Sequence, residues 1–327
     1  PVEDWLDFQL LRHGHLCERV GAVGESVAQE LRFLDRGYRA LPLPVIPHGN
    51  QPIETSWQAR RESRERVLGH LREALGLDCR LLLTHIARDA VCKALGRDVT
   101  VCEYLAELLP PEARPAVLLI VTEWEPGAPS EEIRSLRARA AAFNARQQAV
   151  HLHLLNQADW PRGLGFTRED LHRATDVTLG QSMYESFGLA QLEPLSCGAI
   201  CVLSGVSGAR YRLRELCARP GTSEEAHPNL VVADYSAAEE EPGAERSVED
   251  WLRLGGEELE RHERRCARRV ARRLVEKLPW DEAGQRRLQE TGRRLAERMA
   301  WEPLIREQLV PFLSDGWPET STDRRDT

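Results

Sequence analysis

Two glutamates, Glu185 and Glu193, stand with seven residues between them in the stretch DVTLGQSMYESFGLAQLEPLSCG, which runs from Asp176 to Gly198. A short apolar run with Val177 and Leu179 precedes them, and Phe187-Gly188-Leu189 lies between them. The order reads strand, loop, helix, with Glu185 in the loop and Glu193 inside the helix. Gly188 at the helix start lets the backbone come close to a ligand. The first turn of such a helix carries unpaired N–H groups and the positive end of the dipole, which favour an anion such as a diphosphate. Glu193 can accept hydrogen bonds from sugar or ribose hydroxyls, and Glu185 can meet polar groups at the loop edge. Two solvated glutamates on a strand and a helix would give the same letters, because glutamate is mostly a surface residue.

A basic pair comes earlier. Arg80 to Ala87, RLLLTHIA, is an apolar run of strand length. Arg88 follows at once and Lys93 five residues later. An arginine offers phosphate a planar fork and a lysine a point charge; two exposed basic loop residues are the plainer alternative. His85, just before Arg88, is a candidate pocket residue. A third segment, Val45-Ile46-Pro47-His48-Gly49-Asn50, reads as a turn in which Gly49 is expected to take a positive φ angle, with His48 a candidate for substrate contact.

The elements that must carry these residues alternate. Strands are predicted at Arg19–Gly24, Leu41–Ile46, Arg80–Ile86, Ala116–Val121, Val150–Leu154, Asp176–Leu179, Ala199–Leu203 and Leu230–Val232. Helices are predicted at Ser26–Leu34, Arg60–Leu75, Val99–Leu109, Ser130–Gln148, Arg168–Ala174 and Leu189–Ser196. Alternation of this kind implies an α/β, doubly wound parallel sheet with ligands at the carboxyl ends of the strands. Both the Arg88/Lys93 pair and the Glu185/Phe187 loop follow such ends. Glu239 to Glu245 reads as an acidic loop. From Val248 to Lys277 a long helix interleaves arginines with glutamates and with apolar Cys266, Val270, Leu274 and Val275, the pattern of a solvated amphipathic helix. A further helix, Asp281–Met299, leads to Trp301, expected to be a packing anchor. The polar tail from Ser314 is expected to be disordered.

The stretch Gln181-Ser182-Met183-Tyr184-Glu185-Ser186-Phe187-Gly188-Leu189, running into Glu193-Pro194-Leu195-Ser196-Cys197-Gly198, resembles the signature of retaining GT-B glycosyltransferases, especially family 4 and the glycogen synthases. Gln181 stands where proline is usual, Pro194 where alanine is usual, and Pro194 is expected to kink its helix. Arg88 and Lys93 resemble the family's diphosphate clamp, with Ala94 in place of the usual glycine. Val45 to Asn50 resembles the turn that ends the interdomain linker, with His48 in place of asparagine. Ala300-Trp301-Glu302-Pro303-Leu304 resembles the region where the last helix crosses back to the first domain. The resemblance covers about Arg19 to Leu313.

The resemblance implies a Rossmann-like donor-binding domain and transfer of a sugar from a nucleoside-diphosphate sugar with retention of configuration. It implies catalytic roles for Glu185, Arg88 and Lys93. It places Glu193, Ser182, Phe187, Gly188 and Leu189 at the donor, Glu193 on the ribose, and the base near Leu155 to Trp160. No metal or other cofactor is implied, since arginine and lysine neutralise the diphosphate. The acceptor, a sugar, lipid or small molecule, would be read mostly by another domain. The expected division is residues 1–40 as the end of an N-terminal acceptor domain, 41–277 as the nucleotide-sugar-binding domain, 278–313 as helices crossing back, and 314–327 as the tail. The chain begins without methionine and, by the resemblance, is expected to start near the end of the first domain. It is therefore expected to be chiefly the donor half, with a partner chain or an N-terminal domain completing it, binding weakly and transferring nothing alone. Two other readings stay open: a non-catalytic nucleotide-sugar-binding subunit or sensor, and a GT-B nucleotide-sugar epimerase. A phosphorylase would carry pyridoxal phosphate on a lysine, and the lysines here, Lys93 and Lys277, lie in no recognisable cofactor motif.

Composition bounds the remaining classes. The chain has 327 residues, enough for one large or two ordinary domains, and is 42% hydrophobic. Its formal net charge of −8 argues against nucleic acid as a partner. No apolar run reaches membrane-spanning length and no signal peptide opens the chain. The eight cysteines are scattered, several within apolar runs, as expected of reduced thiols in a cytoplasm. There is no C-x-x-C, which argues against a structural zinc site. His13, His15 and Cys17 are too few and too close together for a complete metal site. His151 and His153 alternate on a strand and face the same side as a structural pair.

Overall fold

The computed structural model describes residues 6–125, 127–162, 164–217, 224–236 and 255–314. The acidic loop at Glu239–Glu245, the start of the long helix before residue 255 and the tail after Ser314 lie outside the described residues.

Six strands form one parallel sheet in the order β3-β2-β1-β4-β5-β6. They are β1 (Leu81–Ile86), β2 (Ala116–Thr122), β3 (Val150–Asn156), β4 (Val177–Thr178), β5 (Ile200–Ser204) and β6 (Leu230–Ala233). Every residue of β1, β2, β5 and β6 is buried, so these strands read as continuous apolar runs, not as alternating ones. The alternation reappears in what each residue touches. Leu81 and Leu83, and Ala116, Leu118 and Ile120, pack into one core, which also takes in Val99, Cys102 and Leu105 of one helix and Val270 and Leu274 of another. Leu82, Val117 and Leu119 point the other way, onto Val67 and Leu71 and onto Leu171. Cys201 and Leu203 face a third cluster with Leu213, Leu295 and Ala296.

The helices are α1 (Leu6–His13), α2 (Glu25–Leu34), α3 (Trp57–Leu75), α4 (Gly96–Leu108), α5 (Glu131–Asn144), α6 (Arg168–Ala174), α7 (Gly208–Cys217), α8 (Gly256–Lys277), α9 (Glu282–Arg298) and two short pieces, α10 (Trp301–Leu304) and α11 (Val310–Leu313). Local chemistry sets several boundaries. The Ser56 hydroxyl accepts from the Ala59 amide at the start of α3, and Gly76 takes the left-handed conformation that ends it. Thr167 and Asp170 form a reciprocal capping box on α6.

The sheet reverses direction of travel between β1 and β4, which pair in parallel as neighbours. Such a switch point opens a crevice beyond the carboxyl ends of the two strands. Both candidate motifs leave from it, the first after Ile86 and the second after Thr178.

Three expectations need correction. The segment Leu189–Ser196 is not an α-helix: a turn at residues 189–192 precedes a short 3-10 helix, Glu193–Cys197. Pro194 sits in its first turn, where its missing N–H costs nothing, so it opens a tight turn and kinks no longer helix. Gly198, at φ +94°, ends it. Arg19–Gly24 and Leu41–Ile46 form no strands; they meet through a single parallel bridge, Ala22 to Val45. Gly49 is not among the residues of positive φ. A Cβ there would lie 2.4 Å from the Trp301 ring, so glycine is required by close packing and not by backbone conformation.

Candidate functional site

After β1 the chain makes a short 3-10 turn, Val91–Lys93, and turns away through Ala94 at φ +50°. A left-handed alanine costs about 1 kcal/mol, which accounts physically for glycine being usual there. The turn carries the Lys93 ammonium to 2.6 Å from Glu185 Oε2. Both side chains are largely buried, 14% and 10% exposed, so the pair is only weakly screened by water. Two residues that stand 92 positions apart are thus joined at the crevice.

The loop bearing Glu185 is fixed on all sides. Ser182 Oγ donates to the same Glu185 oxygen at 3.2 Å, and Gln191 Nε2 approaches it at 3.5 Å. Ser204 Oγ, at the end of β5, donates to the Ser182 carbonyl at 2.6 Å. The Met183 amide donates to the Cys92 carbonyl at 2.8 Å, tying the two motifs together by backbone. The amide of Ala209 donates to the Phe187 carbonyl at 2.9 Å. Gly188 adopts φ +99°, and a Cβ on it would come within 2.4 Å of Gln191 Oε1 and 2.9 Å of Ser207 Oγ. Beyond it, the amides of Leu189, Ala190 and Gln191 donate to no other atom among the described residues. The free amides expected at a helix start are therefore presented by a turn.

Behind the loop, Gln181 occupies the position where proline is usual in the resembled family. It is wholly buried, and its amide donates to Asp98 Oδ1 at 2.8 Å and accepts from the Tyr235 hydroxyl at 2.6 Å. Its carbonyl accepts from Arg97 Nη1 at 2.9 Å, and that guanidinium lies 3.9 Å from the centre of the Tyr235 ring. Asp98 Oδ2 takes the other hydrogen bond, from His85 Nδ1 at 2.6 Å. His85 is fully buried, so it backs the loop and does not open into a pocket.

Glu193 lies on the wall of a cavity of about 590 Å³ lined also by His48, Arg168, His172, Leu189 and Trp301. Its Oε2 is 2.7 Å from Arg168 Nη2 and 3.2 Å from His172 Nε2. Burial works to raise the carboxyl pKa, but the His172 and Arg168 contacts outweigh it and hold the group below its ordinary value. The cavity is also lined by residues 48–54, a segment stapled in place by Asn50 Nδ2, which donates to the Leu192 carbonyl at 3.1 Å, and by Ser196 Oγ, which accepts from the Ile53 amide at 2.9 Å. The His48 ring packs tilted against Phe187, 5.9 Å away, and edge-on to Trp301, 4.9 Å away. Trp301 thus packs against His48 and Gly49 and also lines the cavity. Arg88 is exposed in the loop after β1 and has no ion-pair partner among the described residues.

Sequence reasoning had not singled out Gln191, Arg168, His172 or the Gln181–Asp98–Tyr235 network. Arg168 and His172 carry a readable signal, since residues four apart share a helix face. Gln191 carries none: its role depends on where Glu185 lies. Lys277 spends its three protons on the carbonyls of Glu225, His227 and Leu230, at 2.5, 2.8 and 2.6 Å, a structural role. Among the described residues no group of three potential metal ligands occurs, and no helix is long and apolar enough to cross a membrane. Cys79, Cys102, Cys197, Cys201 and Cys266 are buried, and burial pushes the Cys79 thiol up to about 12.

No protein-family model and no curated protein sequence matches the chain. Solved structures do. A UDP-forming α,α-trehalose-phosphate synthase from Burkholderia xenovorans matches at TM-score 0.61 and 14% identity, over 95% of this chain and 64% of that one. An E. coli trehalose-6-phosphate structure bound with UDP-2-fluoro glucose matches at 0.57 and 14% identity, over 93% and 62%. Sucrose-phosphate synthase from Thermosynechococcus elongatus matches at 0.51 and 16% identity, over 91% and 57%. The chain thus spans less than two thirds of the proteins it is similar to. At these identities the likeness is one of fold: an α/β parallel sheet with C-terminal helices that matches half of the GT-B fold.

Proposed function

We propose that this chain is the donor-binding half of a retaining glycosyltransferase that uses a nucleoside-diphosphate sugar. The observation that carries the proposal is the meeting of Lys93 with Glu185 at the sheet's switch point, beside the unpaired amides of Leu189 to Gln191. One cation and a run of unpaired N–H groups suit a diphosphate. A carboxylate beside them suits sugar hydroxyls. In this scheme Lys93 moves from Glu185 to the diphosphate, joined by Arg88 from its loop. Glu185 then accepts from hydroxyls of the donor sugar, and Glu193 from the ribose. Charge grows on the departing diphosphate as the glycosidic bond breaks, so fixed positive groups there stabilise the transition state more than the ground state.

Residues 41–277 would form the nucleotide-sugar domain, with residues 278–313 crossing back toward residues 1–40. The acceptor would be bound by a further domain or partner chain. The UDP named for two of the structural matches makes uracil the first base to try. The test is calorimetric titration of the chain with UDP, GDP and ADP, repeated on Arg88→Ala and Glu193→Ala. Binding of one nucleotide, weakened by both substitutions, is the expected result. Absence of binding to all three would overturn the proposal.

A further inference from the structure

We infer that His172 and Arg168 are positioning residues that lock the Glu193 carboxylate with one oxygen facing the cavity, and so make this site select ribose over deoxyribose. This rests on the nucleoside-diphosphate reading above.

Both contacts fall on the same oxygen. Arg168 Nη2 lies 2.7 Å and His172 Nε2 3.2 Å from Glu193 Oε2, while Glu193 Oε1 has no donor among the described residues. Arg168 Nε also lies 3.3 Å from His172 Nε2. That nitrogen cannot accept from the arginine and donate to the carboxylate at once. A bare nitrogen lone pair set against a carboxylate oxygen would repel it, so the arrangement favours Nε2 carrying its proton and donating to Glu193. With Oε2 held by an N–H and a guanidinium, the carboxylate cannot rotate freely. Oε1 remains the open acceptor of a residue that lines the cavity.

The two clamping residues are themselves rigidly held. Arg168 and His172 are one helical turn apart on α6, whose start is fixed by the Thr167–Asp170 capping box. Asp170 is tied in turn to Ser63 Oγ at 2.8 Å and to Arg66 Nη2 at 2.5 Å, both on α3. His172 is buried, whereas the Arg168 side chain is 47% exposed. An acceptor oxygen oriented beforehand by a supporting shell discriminates most sharply against a ligand that lacks the matching hydroxyl.

The experiment compares UDP, GDP and ADP with their 2′,3′-dideoxy forms by calorimetry on the full chain. For whichever nucleotide binds, the ribose form is expected to bind at least about tenfold more tightly, the size of one hydrogen bond to a charged group. In Arg168→Met and His172→Phe the ratio should fall toward one, with the dideoxy affinity unchanged. His172→Gln, which keeps an N–H donor, should restore the preference. A merely structural role would weaken both nucleotide forms alike. Should His172→Phe lose its cooperative melting transition, Arg168→Met decides, because that side chain is half exposed. A ribose preference that persists undiminished in the folded variants overturns the positioning role and leaves the diphosphate site standing. Equal binding of the two forms by the unaltered chain also overturns it. Binding of no nucleotide overturns the site reading and this inference with it.

Discussion

Lys93 and Glu185 make predictions of opposite sign. Their 2.6 Å contact joins side chains 14% and 10% exposed, so Lys93→Ala leaves a largely buried carboxylate held, among the described residues, by Ser182 and, more distantly, Gln191. Losing one ionic hydrogen bond in such a place costs about 1.5–3 kcal/mol. Spread over roughly 300 ordered residues at ~2.1 cal/mol/K each, the melting entropy is about 0.6 kcal/mol/K, so Tm should fall by about 2–5 °C. Diphosphate binding should fall further, by about 10- to 150-fold, because the ammonium is the charge the anion needs. Glu185→Gln keeps the shape but removes the competing anion. Tm should again fall, yet the free nucleoside diphosphate should bind more tightly, by a few-fold, since Lys93 is released toward it. Differential scanning fluorimetry and calorimetry on the two variants read both quantities. If Lys93→Ala binds nucleotide like the unaltered chain, or if Glu185→Gln weakens binding as much as Lys93→Ala does, the shared-cation argument is wrong.

Four further outcomes follow from the same geometry. Gly188→Ala places a Cβ 2.4 Å from Gln191 Oε1 at φ +99°, and should cost about 1–3 kcal/mol in unfolding and abolish detectable nucleotide binding. Ala94→Gly relieves a left-handed alanine and should raise Tm by about 1 °C, unless the added freedom of the unfolded chain offsets the gain; a fall of several degrees would contradict the strain assigned to φ +50°. Gln181→Pro, which would restore the residue usual in the resembled family, leaves Asp98 Oδ1 and the Tyr235 hydroxyl without their partner and should destabilise by about 2–4 kcal/mol, read in a urea titration. The Glu193 carboxyl is depressed in the folded state by His172 and Arg168 despite its burial, so its contribution to stability is present above the unfolded carboxyl pKa of about 4.3 and is lost as pH falls through the folded value. Glu193→Gln should therefore flatten the fall in Tm below pH 5, and an unchanged acid limb would count against the clamp.

Much of the fold was legible because its signals are local. Runs such as Ala116–Val121 can hide their apolar surface only in the middle of a layered sheet, and six of the predicted strands appear within two residues of their expected ends. The two strands assigned to Arg19–Gly24 and Leu41–Ile46 failed because extended segments become a sheet only with partners along their length, and these share one bridge. Helix α7 was not foreseen, and the helix foreseen at Leu189–Ser196 dissolved into a turn and a 3-10 piece, since Pro194 and Gly198 leave too few residues to propagate it.

The sequence by itself determined the alternating parallel architecture and offered Lys93, Glu185, Gly188 and Glu193 as candidates. Spacing along a strand or helix is a property of the chain alone, so those inferences needed no third dimension. Only the tertiary structure decided which of these residues meet. It joined Lys93 to Glu185 across the switch point, gave Glu193 the partners Arg168 and His172, left Arg88 exposed, and turned Gln181 from a departure into the centre of a buried network. The physical reason is range. Periodicity and capping act over a few residues, whereas a charge responds to whatever folding brings within a few ångströms of it, and chain separation does not record that distance.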